Sequence, residues 1–133
     1  MTTYAAGGVQ AKPKGLITRE AARDLSDYQY HAVKIDTSKQ IDYSNGDAVG
    51  VLQNDPSAEG KEAEVATEGT SLLVVDGNSE NIAIGDKINS NASYHGIKAD
   101  SDKEWYFAIA MEASSADGDL IEVQLVGAQY LAA

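Results

Sequence analysis

No part of this 133-residue chain reads as a long helix: from Tyr28 onward its apolar residues come in short runs, broken every few positions by Gly, Asn or Asp. A chain punctuated in this way buries its side chains by laying short strands against one another, which limits it to a small barrel or sandwich. The runs are Tyr28 to Ile35, Ile41 to Tyr43, Ala48 to Gln53, Ala63 to Ala66, Ser71 to Val75, Ile82 to Ile84, Lys87 to Asn89, Trp105 to Met111 and Leu120 to Val126. The last alternates, with Ile121, Val123 and Leu125 on one face and Glu122 and Gln124 on the other, as in a strand half buried against a core. Three turns, Asn45-Gly46-Asp47, Ile84-Gly85-Asp86 and Asp117-Gly118-Asp119, each place a Gly where a positive φ is needed and an Asp that can bond the backbone beyond it. Their unequal spacing rules out a repeat.

The chain before Tyr28 reads differently. Its first 15 or so residues are small and polar, with Gly7-Gly8, Pro13 and Gly15, and hold too little apolar surface to fold alone. Residues 1–23 are expected to be a flexible arm ordered by a partner, and residues 24–133 a single β domain. Within this part, Thr18 to Leu25 could form about two turns of helix with Thr18 as N-cap, too short to be stable in isolation. The fold class expected is therefore mostly β, a small barrel of short antiparallel strands with at most one short helix.

Charge divides the chain at the same place. Residues 1–34 hold five bases, among them Lys12, Lys14, Arg19 and Arg23, against three acids, whereas the remainder holds five lysines against 18 acids. A net charge of −11 repels phosphate backbones, so direct nucleic-acid binding is not expected. The absence of Cys excludes disulfides, thiolate metal sites and a Cys nucleophile. No apolar stretch is long enough to span a bilayer, and Met1-Thr2-Thr3-Tyr4 lacks the features of a signal peptide, so no membrane association and no export are expected.

Nothing in the chain assembles into a catalytic constellation. Ser71 and Ser114-Ser115 lack a nucleophile elbow, and Gly7-Gly8 lacks the context of a phosphate loop. Asp76-Gly77-Asn78-Ser79-Glu80 resembles part of a calcium loop without its ligand order, and His31 and His95 have no partner at metal-ligand spacing. Asp117 and Asp119 sit among small residues that would not desolvate them, and read as turn formers. Asn91-Ala92-Ser93 matches a glycosylation acceptor only by its three letters. No catalytic residue, metal or cofactor is expected. Trp105-Tyr106-Phe107 concentrates the aromatic residues, with Trp105 and Phe107 on one face of a strand and Tyr106 on the other; these three are the candidate subunit interface.

The order of features resembles a family. Asp24-Leu25-Ser26-Asp27-Tyr28-Gln29-Tyr30, Val33-Lys34, Gly50-Val51-Leu52-Gln53-Asn54-Asp55-Pro56 and Gly60-Lys61-Glu62-Ala63-Glu64-Val65 are similar to segments of small bacteriophage capsid decoration, or head cement, proteins. The likeness continues through Gly69-Thr70-Ser71, Ile84-Gly85-Asp86, Ile109-Ala110-Met111-Glu112-Ala113-Ser114 and Gly118-Asp119-Leu120-Ile121-Glu122-Val123. What the resemblance implies is a β-barrel or β-tulip domain, homotrimeric, made in the host bacterial cytoplasm and seated on the outer capsid surface of the virion. There it would clamp major capsid protein subunits of the expanded head against the pressure of packaged DNA. The capsid contacts are then expected from the basic segment, at Lys12, Lys14, Arg19 and Arg23. The alternative is a tail, fibre or carbohydrate-binding β adhesin, for which only Trp105-Tyr106 and scattered tyrosines such as Tyr94 are available as exposed aromatics.

Overall fold

The computed structural model describes residues 11–100 and 104–130, and these form ten strands and no helix. The strands are β1 (Leu16–Glu20), β2 (Ala32–Ile35), β3 (Ile41–Tyr43), β4 (Gly50–Leu52), β5 (Glu62–Ala66), β6 (Gly69–Asp76), β7 (Lys87–Ser90), β8 (Gly96–Lys98), β9 (Trp105–Ala110) and β10 (Asp117–Tyr130). The mostly β reading holds, and the strands divide into two groups. A five-stranded antiparallel sheet runs β1-β5-β4-β2-β3, and a closed barrel runs β10-β6-β8-β7-β9, antiparallel except where β6 meets β8.

The barrel core follows from period-two patterning. Ser71, Leu73 and Val75 of β6 and Ile121, Val123 and Leu125 of β10 are buried, as the alternation of the last run predicts. Phe107 and Ile88 fill the space between them, and Ile82 enters from the loop after β6. The three Gly turns have the expected backbone, with φ of 93° at Gly46, 94° at Gly85 and 89° at Gly118.

The sheet is less conventional because its middle, in β2, β4 and the end of β5, is buried on both faces. Adjacent residues fall to different cores: Ala32, Val51 and Ala66 join the barrel core, whereas Val33, Leu52 and Val65 join a second cluster with Ala21, Leu25, Ile41 and Ala63. This explains why these runs read as continuous apolar stretches without alternation. The second cluster is enclosed because the sheet rolls up: the Ala21 N–H donates to Lys61 O of the β5 side, and the next N–H, of Ala22, donates to Ile41 O of β3.

Three expectations are corrected. Thr18 to Leu25 is not helical; Leu16–Glu20 is a strand paired residue by residue with Glu62–Ala66. A two-turn helix would bear its nucleation cost alone, whereas the β-branched pair Ile17-Thr18 suits an edge strand whose ladder β5 completes. The flexible arm does not extend to residue 23, for the Lys12 N–H donates to Thr70 Oγ1 at 2.6 Å and Pro13 forms a bridge to Gly69. Gly69 has φ +79°, and a Cβ there would collide with the Lys12 carbonyl oxygen, so this docking needs Gly. The part of the expected arm before Ala11 lies outside the described residues. Ile82 to Ile84 is not a strand, since only Ile82 makes a bridge, to Ser114; the strand Gly96–Lys98 was not foreseen.

Candidate functional site

A closed barrel has no free strand edges, so the open backbone of this molecule is concentrated in the sheet. In β1 the bond pattern fixes which groups are open. Thr67 N–H donates to Gly15 O and Ala21 N–H to Lys61 O, so the odd residues face β5 and the backbone groups of Leu16, Thr18 and Glu20 face away from it. Among the described residues no strand pairs with that side. Lys12, Lys14, Leu16, Thr18, Arg19 and Glu20 are exposed, Leu16 at 55%. Of the expected contact residues, Lys12 and Lys14 precede β1 and Arg19 lies within it, its backbone turned toward β5 and its side chain on the face opposite Leu16 and Thr18, while Glu64 and Glu62 of β5 stand beside Thr18 and Glu20.

Arg23 lies apart from them. Its guanidinium grips Asp42 through two bonds of 2.8 and 2.9 Å, donates to the Tyr43 hydroxyl at 2.9 Å and sits 4.6 Å from the Tyr43 ring centre. The bond and charge of Asp42 raise the Arg23 pKa. Asp42 is buried and Arg23 is half exposed, so the pair serves the carboxylate first.

Around this pair the structure assembles an aromatic cluster. Tyr43 stacks on Tyr94 with ring centres 4.0 Å apart and planes 6° apart, and Tyr28 meets both rings edge-on at 5.3 and 5.6 Å. Tyr28 also touches His31, whose ring centre is 5.0 Å from that of His95. His95 Nδ1 lies 2.8 Å from Asp117 Oδ1. The cluster ties the sheet to the barrel through the loop after β7, where Asn91 Oδ1 accepts from the Ser93 and His95 N–H groups and Tyr94 O accepts from Ala32 N–H. Tyr94 and Tyr30 hold φ of 66° and 64°, a conformation that costs a bulky residue on the order of 1 to 3 kcal/mol. Each is held by backbone bonds on both sides, Tyr30 by Leu52 O and Val74 N–H, so the junction is tightly determined.

The two histidines therefore have partners that their spacing does not reveal. Burial lowers the His31 pKa, helped by the charge of His95. The neutral imidazole is the form the fold favours, so stability is full above the ordinary His value of about 6.5 and falls as pH drops through the depressed folded value. His31→Gln is expected to flatten this part of the pH dependence, read as urea midpoints at about pH 7.5 and about pH 5. An undiminished pH dependence in the variant would remove His31 as its source.

The remaining candidates are structural. Asp76 accepts from the Asn78 and Ser79 N–H groups and from the Ser79 hydroxyl, and these bonds lower its pKa; the calcium-like segment is a turn. Asp119 accepts from Ser114. Among the described residues, no group of three or more His, Asp or Glu converges in a way that could hold a metal ion. Phe107 is 1% exposed and lies in the barrel core, whereas Trp105 is 37% exposed and Tyr106 intermediate. Phe107 is thus removed from the expected interface. A surface not foreseen lies at one end of the barrel, where Ile84 is 72% and Met111 42% exposed. The residues beside them are joined, Gly85 N–H donating to Ala110 O at 2.8 Å.

Comparison with known proteins gives the same direction. The model of a family described as phage cement protein matches residues 26–125. No curated protein matches the chain. Among solved structures, the N base of head fiber gp8.5 of bacteriophage phi29 is similar with a TM-score of 0.60 at 14% identity, over 84% of this chain and 93% of that one. At that identity the likeness speaks for the fold alone.

Proposed function

The chain belongs to the phage cement protein family, and from that premise we propose that it binds the outer surface of the expanded head as a homotrimer and clamps neighbouring major capsid protein subunits. Membership in the family supports capsid stabilisation as the general role, in a class of virion components that act structurally and not as enzymes. The finer statement rests on one observation: β1 leaves a backbone edge unpaired among the described residues, with exposed Lys12 and Lys14 leading into it and exposed Arg19 within it, on a molecule of net charge −11. A partner surface that is acidic or offers backbone acceptors would meet complementary groups there. Arg23, being bound to Asp42, acts in this reading by holding the segment in place.

Tethering multiplies such a contact. Three linked copies on one lattice position raise the effective concentration of each remaining contact, so each single contact can be weak. An adhesin reading has less support, because Tyr43 and Tyr94 stack on each other and do not present their faces as a platform for sugar rings.

Co-sedimentation with expanded, undecorated heads, with unexpanded heads as control, tests the proposal. Saturable binding to expanded heads alone is expected. Reversing Lys12, Lys14 and Arg19 to Glu is expected to weaken binding at least tenfold and to reduce its dependence on salt. Unchanged affinity of the triple variant would sink the edge as the capsid contact, and absence of wild-type binding would sink the decoration role.

A further inference from the structure

Sheet and barrel meet through two copies of one local pattern. Tyr30-His31 immediately precedes β2 and Tyr94-His95 immediately precedes β8, and in both dipeptides the tyrosine holds a positive φ, 64° and 66°. The two imidazoles face each other across the junction, with ring centres 5.0 Å apart. Two backbone bonds cross the same seam, Ala32 N–H to Tyr94 O at 3.0 Å and Val74 N–H to Tyr30 O at 2.9 Å. Each crossing bond thus ends on the carbonyl of a strained tyrosine, and such strain persists only where the surroundings over-determine it.

The charges around the pair are unequal. His95 Nδ1 lies 2.8 Å from Asp117 Oδ1 at the start of β10, and Asp76, at the end of β6, is also within reach of the His95 charge. The groups facing His31 are the Tyr28 ring, the carbonyls of Gln29 and Tyr28, whose dipoles favour the charged ring, and His95, whose charge opposes it. Beyond Tyr28 the cluster holds Tyr43, Tyr94 and the Arg23–Asp42 pair, which is closed on itself. A proton on His95 therefore meets a carboxylate, whereas a proton on His31 meets burial and a like-charged neighbour.

We propose that the two imidazoles form an acid-operated latch between sheet and barrel: with His31 neutral the seam is closed, and with both rings protonated the segment from Tyr28 to Ala32 parts from the loop before β8. Two like charges at this separation repel in a half-buried site, and opening lets Tyr30 and Tyr94 relax. Val51 and Ala66 stay packed in the barrel core, so the opening is local and the molecule remains folded. Burial depresses the His31 pKa, so the seam is fully closed above the ordinary value of about 6.5 and weakens as pH falls from there through the depressed folded value. The latch is a property of the single chain and does not depend on capsid binding.

Amide hydrogen exchange of the purified full-length protein, read by NMR and corrected for the intrinsic pH dependence of exchange, tests the latch at the two crossing bonds. From about pH 7.5 to about pH 5, the Ala32 and Val74 amides are expected to lose about tenfold or more in protection and to end about tenfold or more below the β6–β10 ladder. His31→Gln is expected to abolish this loss and His95→Gln to reduce it about threefold or more, each with wild-type protection of the ladder at about pH 7.5 as the check of folding. The variants are independent, so one that folds is enough to decide. Ala32 and Val74 amides as protected as the ladder at about pH 5 would make the acid response global and overturn the latch. A loss that is absent in the wild type, or that persists undiminished in either variant, overturns it as well.

Discussion

A chain lacking residues 1–23 is expected to lose about 3 to 5 kcal/mol of folding stability, and not merely a surface tail. The loss follows from what the described part of this segment touches. It removes the partner strand of β5 along the whole of Leu16–Glu20, and with it the backbone bonds at Gly15, Ala21 and Ala22. Each such bond contributes about 1 kcal/mol. Ala21 is fully buried and Ile17 packs against the same cluster, so the rolled sheet would be opened to water. The truncation also takes Arg23 from Asp42, leaving a buried carboxylate without its cation. Ile17→Asp in the full-length chain should reproduce a large part of the effect, as a charge forced against an apolar cluster. Urea unfolding of both variants measures it; a truncated chain with the wild-type midpoint would mean that the segment is the detachable arm its composition suggests.

That composition misleads here for a physical reason. The described part of the segment mixes exposed Lys12, Lys14, Leu16, Thr18, Arg19 and Glu20 with the half-buried Ile17, so no local signal separates an edge strand from a disordered arm. What decides the matter is a ladder with Glu62–Ala66, more than 40 residues away in sequence. The legible parts are those in which local chemistry suffices. The β10 alternation placed Ile121, Val123 and Leu125 inward, and the Gly turns were required by their backbone. Strands β2, β4 and β5 were recognisable as apolar runs, but not their division between two cores, since neighbours such as Val51 and Leu52 look alike to any pattern of period two. Strand β8 has three residues, too few to carry a period.

The candidate site shows the same divide. Lys12, Lys14 and Arg19 could be picked out as a basic group because they are close in sequence, and the fold leaves all three exposed in or just before β1. Arg23 could not be separated from them, because its partners Asp42 and Tyr43 are brought to it only when the sheet rolls up. The meeting of His31 with His95, and of Tyr43 with Tyr94, likewise depends on the packing of the sheet against the barrel. The exposure of Ile84 and Met111, beside the Gly85–Ala110 bond at the barrel end, has no signature in either run.

Phe107 separates folding from assembly in a single residue. It is the largest wholly buried side chain and stands among the barrel residues Leu73, Val75, Ile88 and Val123. Phe107→Ala is expected to cost about 3 to 5 kcal/mol, the transfer of the ring plus the cavity it leaves in a closed barrel whose strands cannot collapse inward freely. Against a total stability of about 5 to 15 kcal/mol for a domain, this brings the variant near unfolding at ordinary temperature. Trp105→Ala, two residues earlier at a partly exposed position, is expected to cost far less. Were Phe107 instead an interface residue, its loss would lower association and leave the unfolding midpoint of the dilute monomer unchanged. Chemical denaturation at two protein concentrations distinguishes the cases: a large loss that is independent of concentration assigns Phe107 to the core, and one that disappears on dilution assigns it to contacts between copies.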